Sequence, residues 1–399
     1  MQHEVAEGST IGAAGWWLEC NRCGARIEFG PAVSGCRACA AAGQSGLLEC
    51  QRPPTSLAIS TDRRKRGLER YLSMLPIPPD VDWISLGEGE TALVRSRHIG
   101  PSLGLSNLFF KLEQQNPTLS FKDRYVALTV NLARHFGFRR VVVSSTGNLG
   151  ISVAAYAAMC GLACRFVAPG DMPENVRSEA ILHGAELEVV DKEHRFARFE
   201  EIASDPTWFP VGLFMNRRIQ NPFGIEAYRT FAYELIEQLG EQPDAVLLPC
   251  ARGNGLYGAW KGFKDAIDWN WIDRLPRMIG CQPSVANSLE VSLLAGSPTA
   301  IELPPADSVA KSICETVAGD KALAAIRESG GTAVSASEDQ LLAGVRALGL
   351  EGINAEAGAA ATVVSLSKLV AAGKLAPADR VVCILTGAGI RWTEQGPAA

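Results

Sequence analysis

The stretch RRVVVSSTGNLGISVAAYAAMCGLACRFVAP, residues 139–169, passes from an apolar run through a polar loop into a helical pattern, then into a second apolar run. RRVVVSS reads as a buried strand, ISVAAYAAMCG as a helix ended by Gly161, and ACRFVAP as the next strand. The same alternation extends outward. ENVRSEAILHG is helical and ELEVV a strand; DAVLLPC leads through a glycine-bearing loop into a helix containing Trp260 and Phe263, then RMIGCQ. Near the end, EDQLLAGVRALGL and AATVVSLSKLVAAG read as helices and RVVCILTG as a strand. Short, continuously apolar strands separated by helices predict an α/β protein whose parallel sheets are covered on both faces. In such sheets ligands collect beyond the carboxyl ends of the strands.

Bulk properties narrow the partners. The chain has 399 residues, 47% hydrophobic and 20% charged, enough for a large core and two or three domains. A net charge of −5 supplies no global positive field for nucleic acid or anionic membrane. No apolar stretch reaches membrane-spanning length, and MQHEVAEGST lacks the pattern of a signal peptide, so a soluble cytoplasmic protein is expected. Most of the eleven cysteines are scattered through apolar runs, as buried small hydrophobes in a reducing compartment are. QRPPTS reads as a linker. The run Arg63-Arg64-Lys65-Arg66 is expected to open a helix capped by Thr61 or Asp62, as a solvated face or an anion patch.

Four loops carry chemistry. In Asn116-Pro117-Thr118-Leu119-Ser120-Phe121-Lys122-Asp123-Arg124, Lys122 follows an apolar Phe121 at a helix start, where partial desolvation would free its amine; a solvated lysine is the alternative. Ser144-Ser145-Thr146-Gly147-Asn148-Leu149-Gly150 lies between strand and helix. There hydroxyls and N–H groups suit a carboxylate, and the Asn148 amide a phenolate-like oxygen, unless the loop is an ordinary capped turn. Pro249 to Gly258 is glycine-rich and can close on a phosphate, or be a common turn; no Gly-Lys-Ser/Thr makes it a nucleotide loop. Thr386-Gly387-Ala388-Gly389 ends the last strand and offers a hydroxyl to a heteroaromatic nitrogen, or simply turns.

In order and spacing these loops resemble the threonine-synthase branch of the tryptophan-synthase-β-like, fold-type II pyridoxal-5′-phosphate (PLP) enzymes, over roughly residues 70 to 392. Gly87-Glu88-Gly89-Glu90-Thr91 is similar to that branch's GEGxT motif, NPTLSFKDR to NPTxSFKDR, and SSTGNLG to SSGNxG. PCARGNGLYGAWKGF resembles PVGNxGN…WKGF, Glu351-Gly352-Ile353 with Glu356 resembles EGIxxEPASA, and LTGAGIRW resembles LTGxGLK. The resemblance implies that Lys122 forms the Schiff base and shuttles protons, with Phe121 beside it. It implies that Asn148 bonds the cofactor's ring oxygen, Gly253, Asn254 and Gly255 hold its phosphate, and Thr386 meets the pyridine nitrogen. Ser145, Thr146 and Asn148 would border the substrate carboxylate, and Lys111 would meet an anionic group of the substrate. Departures from the pattern are Ala92 for Pro, Leu119 for a small residue, Ala357-Gly358 for Pro-Ala/Ser, and Ala251-Arg252 for Gly-Asn. Arg252 could grip a phosphate or carboxylate of the substrate, or point to solvent.

Cys20-x-x-Cys23 and Cys36-x-x-Cys39 have the paired spacing of a zinc ribbon, with a short gap; four thiolates would hold a structural zinc, unless the metal has been lost. Archaeal-type members of the branch carry a similar head. The expected architecture is a zinc-ribbon-like head (1–55), a large PLP-binding domain (56–118 and 206–399) and a small α/β domain (119–205), with the active site between two doubly wound sheets.

By resemblance, the expected activity is elimination or replacement on an amino acid by a PLP-dependent lyase, in a homodimer. A threonine hydroxyl at the pyridine nitrogen weakens the electron sink and favours elimination over transamination. Threonine synthase, which converts O-phosphohomoserine and water to threonine and phosphate, is the first expectation. The alternative is β-replacement or β-elimination on O-phosphoserine, serine or threonine, as in cysteate synthase or a dehydratase. A non-catalytic zinc-ribbon binding protein would show decay at the lysine or asparagine loop, and neither shows any.

Overall fold

The structure is a computed structural model that describes residues 15–52, 62, 64–214 and 219–391. Linker residues 53–56, Thr61, Arg63 and Trp392 lie outside the described residues. Two mainly parallel sheets form the body. The larger has six strands in the order Thr332–Ala336, Arg277–Pro283, Ala245–Pro249, Arg380–Leu385, Asn107–Leu112 and Leu93–Arg95; only the last pairs antiparallel. The smaller runs Glu186–Val190, Ala163–Pro169, Arg140–Ser144, Phe209–Pro210, all parallel. Strands and helices stand where the apolar pattern predicts them. Gly161, with φ +67°, turns the chain from helix Asn148–Met159 into the next strand.

Helix Lys122–His135 is buried from Asp123 through Ala133, wedged against helices Asn148–Met159 and Gly224–Ala227. Helix Ala357–Ala371, alanine-rich and buried along its length, packs across four strands of the larger sheet. Its small side chains let helix and sheet approach closely.

The head is a three-stranded antiparallel sheet with Trp17–Cys20 between Arg26–Glu28 and Leu48–Gln51. It is docked on helix Asn254–Asp268: Tyr257 donates to Glu49 (2.8 Å), and Arg52 pairs with Asp265 (2.5 Å). Lys321 adds a 2.7 Å ion pair to Glu49, and Phe29 packs edge-on against Phe223 at 5.4 Å.

The basic run departs from expectation. Arg64, Lys65 and Arg66 are solvated, but they precede the helical segment, a 3-10 helix over Gly67–Met74. Asp62 accepts from the Arg64 backbone and guanidinium rather than capping a helix. The reason lies at Gly67, whose φ is +56°; a Cβ there would stand 2.1 Å from the Glu88 carbonyl. The chain must turn around that carbonyl before it can coil.

Candidate active site

Loops from both sheets meet at one cavity of about 230 Å³. It lies at the carboxyl ends of strands Arg140–Ser144, Ala245–Pro249 and Arg380–Leu385, where an open α/β sheet collects ligands. Phe121, Lys122, Ser145, Thr146 and Asn148 line it, and so do Arg252, Gly253, Asn254, Gly255 and Thr386. The lysine loop is tied to the last strand through Phe121 N–H to the Thr386 carbonyl (2.9 Å) and a bridge between Ser120 and Gly387. Leu119 adopts φ +61°, an unfavourable conformation for a branched side chain, to complete that turn.

Lys122 Nζ forms no hydrogen bond or ion pair among the described residues; it lies 4.5 Å from the centre of the Phe121 ring. Burial lowers its pKa to about 8, against the opposing charges of Glu356 and Glu315. An appreciable fraction is therefore the neutral, nucleophilic amine near neutral pH. Phe121 in turn stacks on Tyr228 (5.1 Å). Neighbouring Asp123 locks the loop, accepting from Thr118 N (2.6 Å) and Ser152 Oγ (2.5 Å); burial raises its pKa to about 6.

Asn148 opens helix Asn148–Met159 with its amide oriented by two charged neighbours. Its Oδ1 accepts from Arg391 (3.2 Å) and its Nδ2 donates to Glu356 (3.2 Å), leaving a second N–H for a ligand. Glu356 also accepts from Ser312 Oγ (2.9 Å), an approach that Gly358 permits because a Cβ there would come within 2.5 Å of that hydroxyl. On the other wall, Gly253 (φ +77°) precedes helix Asn254–Asp268 and leaves its first N–H groups without a side-chain cap. A Cβ at Gly253 would lie 2.3 Å from Ala322 Cβ. Arg252 pairs loosely with Glu315 (3.8 Å).

Lys111 stands apart from this cavity. It is fully buried, and its three N–H bonds go to Glu234 (2.6 Å), the Thr91 carbonyl (2.6 Å) and Gln238 (2.9 Å). No donor remains for a substrate anion, so the structure places Lys111 in the scaffold. Glu356, Arg391 and Arg195 carry charge at the site, yet the sequence reading gave them no role. Glu356 and Arg391 sit inside quoted motifs; Arg195, in an ordinary amphipathic helix, carried no signal.

In the head, the Sγ atoms of Cys20, Cys23, Cys36 and Cys39 all lie within 4.8 Å of one another, with Cys20–Cys39 and Cys23–Cys36 at 3.7 Å. Gly46 makes room, since a Cβ there would come within 2.8 Å of two of these sulfurs.

The cavity fits PLP in its donor set. It joins a desolvated amine, uncapped N–H groups at a helix start behind a left-handed glycine, and an oriented amide. It also holds a buried Ser144 Oγ that has no hydrogen-bond partner among the described residues. The profile described as "Pyridoxal-phosphate dependent enzyme" matches residues 84–387. The chain belongs to this family, in its threonine-synthase-like, fold-type II branch, and is a PLP-dependent lyase. It is 30% identical to threonine synthase of Methanosarcina acetivorans over 380 residues, covering 93% of this chain and 91% of the relative. With threonine synthase of Methanocaldococcus jannaschii it shares 32% identity over 82% of each chain. The fold also matches solved structures: a processed threonine deaminase of Solanum lycopersicum (TM-score 0.64, 22% identity, 77% and 88% covered) and maize serine racemase (TM-score 0.65, 20% identity, 76% and 91%). Among the described residues no helix is long and apolar enough to cross a membrane.

Proposed function

We propose that the chain is a threonine synthase acting on O-phosphohomoserine. The observation that carries this reading is the likeness to threonine synthase of Methanosarcina acetivorans over 93% of the chain, together with the lysine, asparagine, glycine and threonine loops lining one cavity. In this reading Lys122 Nζ holds the cofactor and moves the proton at the substrate Cα. The N–H groups of Gly253 to Gly255 hold the cofactor phosphate, the free N–H of Asn148 meets its ring oxygen, and Thr386 faces its ring nitrogen. Bound there, PLP withdraws electrons from Cα and so acidifies the neighbouring carbons. Ser145 and Thr146, at the uncapped start of helix Asn148–Met159, orient the substrate carboxylate. For the overall conversion to balance, protons would leave Cα and Cβ, the Cγ–O bond would break with phosphate taking the electron pair, Cγ would gain a proton, and water would supply hydroxyl to Cβ while a proton returns to Cα.

Purified holoenzyme given O-phosphohomoserine and O-phosphoserine in parallel should release phosphate from the former, with threonine formed in equal amount. No phosphate from the former, with turnover of the latter, would replace this reading by β-elimination or β-replacement.

The four head thiolates hold, in our reading, a structural zinc. A tetrahedral Zn–S shell of 2.3 Å bonds has sulfurs about 3.8 Å apart, close to the 3.7 Å pairs here. The Cys20→Ser/Cys23→Ser double variant should lose about one zinc per chain by elemental analysis; unchanged zinc content would refute the site.

A further inference from the structure

We infer that Arg195 is a specificity-determining residue that grips a second, distal anionic group on the side chain of the amino-acid substrate. This rests on the proposed PLP chemistry at Lys122 and names what the same cavity selects. Helix Arg195–Ala203 begins at the cavity wall, and its first two side chains, Arg195 and Phe196, line it. Among the described residues the Arg195 guanidinium makes no hydrogen bond or ion pair, and its Nε is buried without a partner. Its Cζ lies 4.4 Å from the centre of the Phe196 ring. Other arginines nearby are matched: Arg198, one turn on, pairs with Glu188 (2.5 Å) and Glu201 (2.8 Å), and Arg252 lies against Glu315.

A half-buried guanidinium with open donors costs free energy unless something supplies acceptors. Burial lowers the pKa of Arg195, an effect that the charges of Glu315 and Asp171 oppose; its ordinary value is high enough that it stays cationic. The Gly253 helix start is taken for the cofactor phosphate and the Asn148 helix start for the α-carboxylate, while Arg252, on the same wall, faces the Glu315 carboxylate. Arg195 is left for a third anion. Its planar fork matches a phosphate or carboxylate two-pronged, and Phe196 shields that contact from water. A substrate with an uncharged side chain, such as serine or threonine, would leave these donors empty.

The test uses purified holoenzyme and equilibrium binding followed by the visible absorption of the cofactor, so no turnover is needed. Two unreactive ligands of equal carbon chain are titrated: 2-amino-5-phosphonopentanoate, with a distal dianion, and norvaline, without one. Arg195→Gln should weaken the phosphonate about 10- to 100-fold, the loss expected for a charge-assisted pair of hydrogen bonds, and leave norvaline within about twofold. Arg195→Lys, keeping the charge but not the fork, should recover part of the phosphonate affinity. Equal losses for both ligands, or unchanged phosphonate binding, would overturn the assignment. An enzyme that fails to convert O-phosphohomoserine but still loses phosphonate affinity selectively would sink the threonine-synthase reading and keep this one.

Discussion

Replacing Lys122 by alanine should lower turnover about 10²- to 10⁴-fold, the range ascribed to a positioned acid–base group, and abolish covalent retention of the cofactor. The effect is large because no neighbour can substitute. Lys111 is locked to Glu234 by a 2.6 Å ion pair, and Lys261 is held in the same way by Glu226 at 2.5 Å. Lys122, with no such partner among the described residues, has its pKa lowered by burial to about 8. The fold should survive, because among the described residues Nζ holds no hydrogen-bond or ion-pair partner whose loss would strand a charge. Dialysis of wild type and variant against cofactor-free buffer, followed by absorption spectra, checks this. A variant that keeps a lysine-linked chromophore would move the attachment point elsewhere.

Glu234→Ala should cost about 3–5 kcal/mol of stability, the penalty for breaking a buried ion pair from one side. Glu234 bridges two cations, Arg124 (2.5 Å) and Lys111 (2.6 Å), while Arg124 also pairs with Glu113 (2.7 Å). The side chains are almost wholly inaccessible, so removing one carboxylate leaves two charges that water cannot reach. The cluster also holds the GEGET loop, through Glu90 N to Glu234 (3.0 Å) and Thr91 Oγ1 to Glu113 (2.6 Å). By contrast, Asp82→Ala, breaking an exposed pair with Arg134, should change stability by no more than about 1 kcal/mol. Burial by itself would raise the Glu234 pKa, but the Arg124 and Lys111 charges outweigh it and hold the group at about 2. Its folded pKa is thus below the unfolded value. Its stabilisation is complete above the ordinary carboxylate range and is lost as pH falls toward 2. Denaturant titrations of wild type and variant should therefore differ most above about pH 5 and converge in acid. A gap that stays constant with pH would contradict the ionic origin.

The parallel fold was legible because its strands are continuously apolar and short, and many of its helices run into a glycine, as Asn148–Met159 does at Gly161. The lysine, asparagine and glycine loops could be picked out because each sits between a strand and a helix, and the structure brings all three to the wall of one cavity. Lys111 was misread for a physical reason. A lysine in the strand FFKLE has a fixed direction, but whether it meets substrate or an acid depends on Glu234, 123 positions away in sequence. Arg195 was missed for the converse reason: HRFARFEEIA looks like any amphipathic helix, and only the folded chain shows that, among the described residues, no acid lies within ion-pair distance of this arginine. The basic run before Gly67 failed because a single close approach to the Glu88 carbonyl overrides helix-start chemistry.

Borohydride reduction of the purified holoenzyme, followed by peptide mass analysis, tests the attachment most directly, because reduction fixes the cofactor to whichever amine carries it. A pyridoxyl adduct on the peptide containing Lys122, and on no other lysine, is the predicted result. An adduct on Lys111, Lys261 or Lys321, or none on any lysine, would contradict the account.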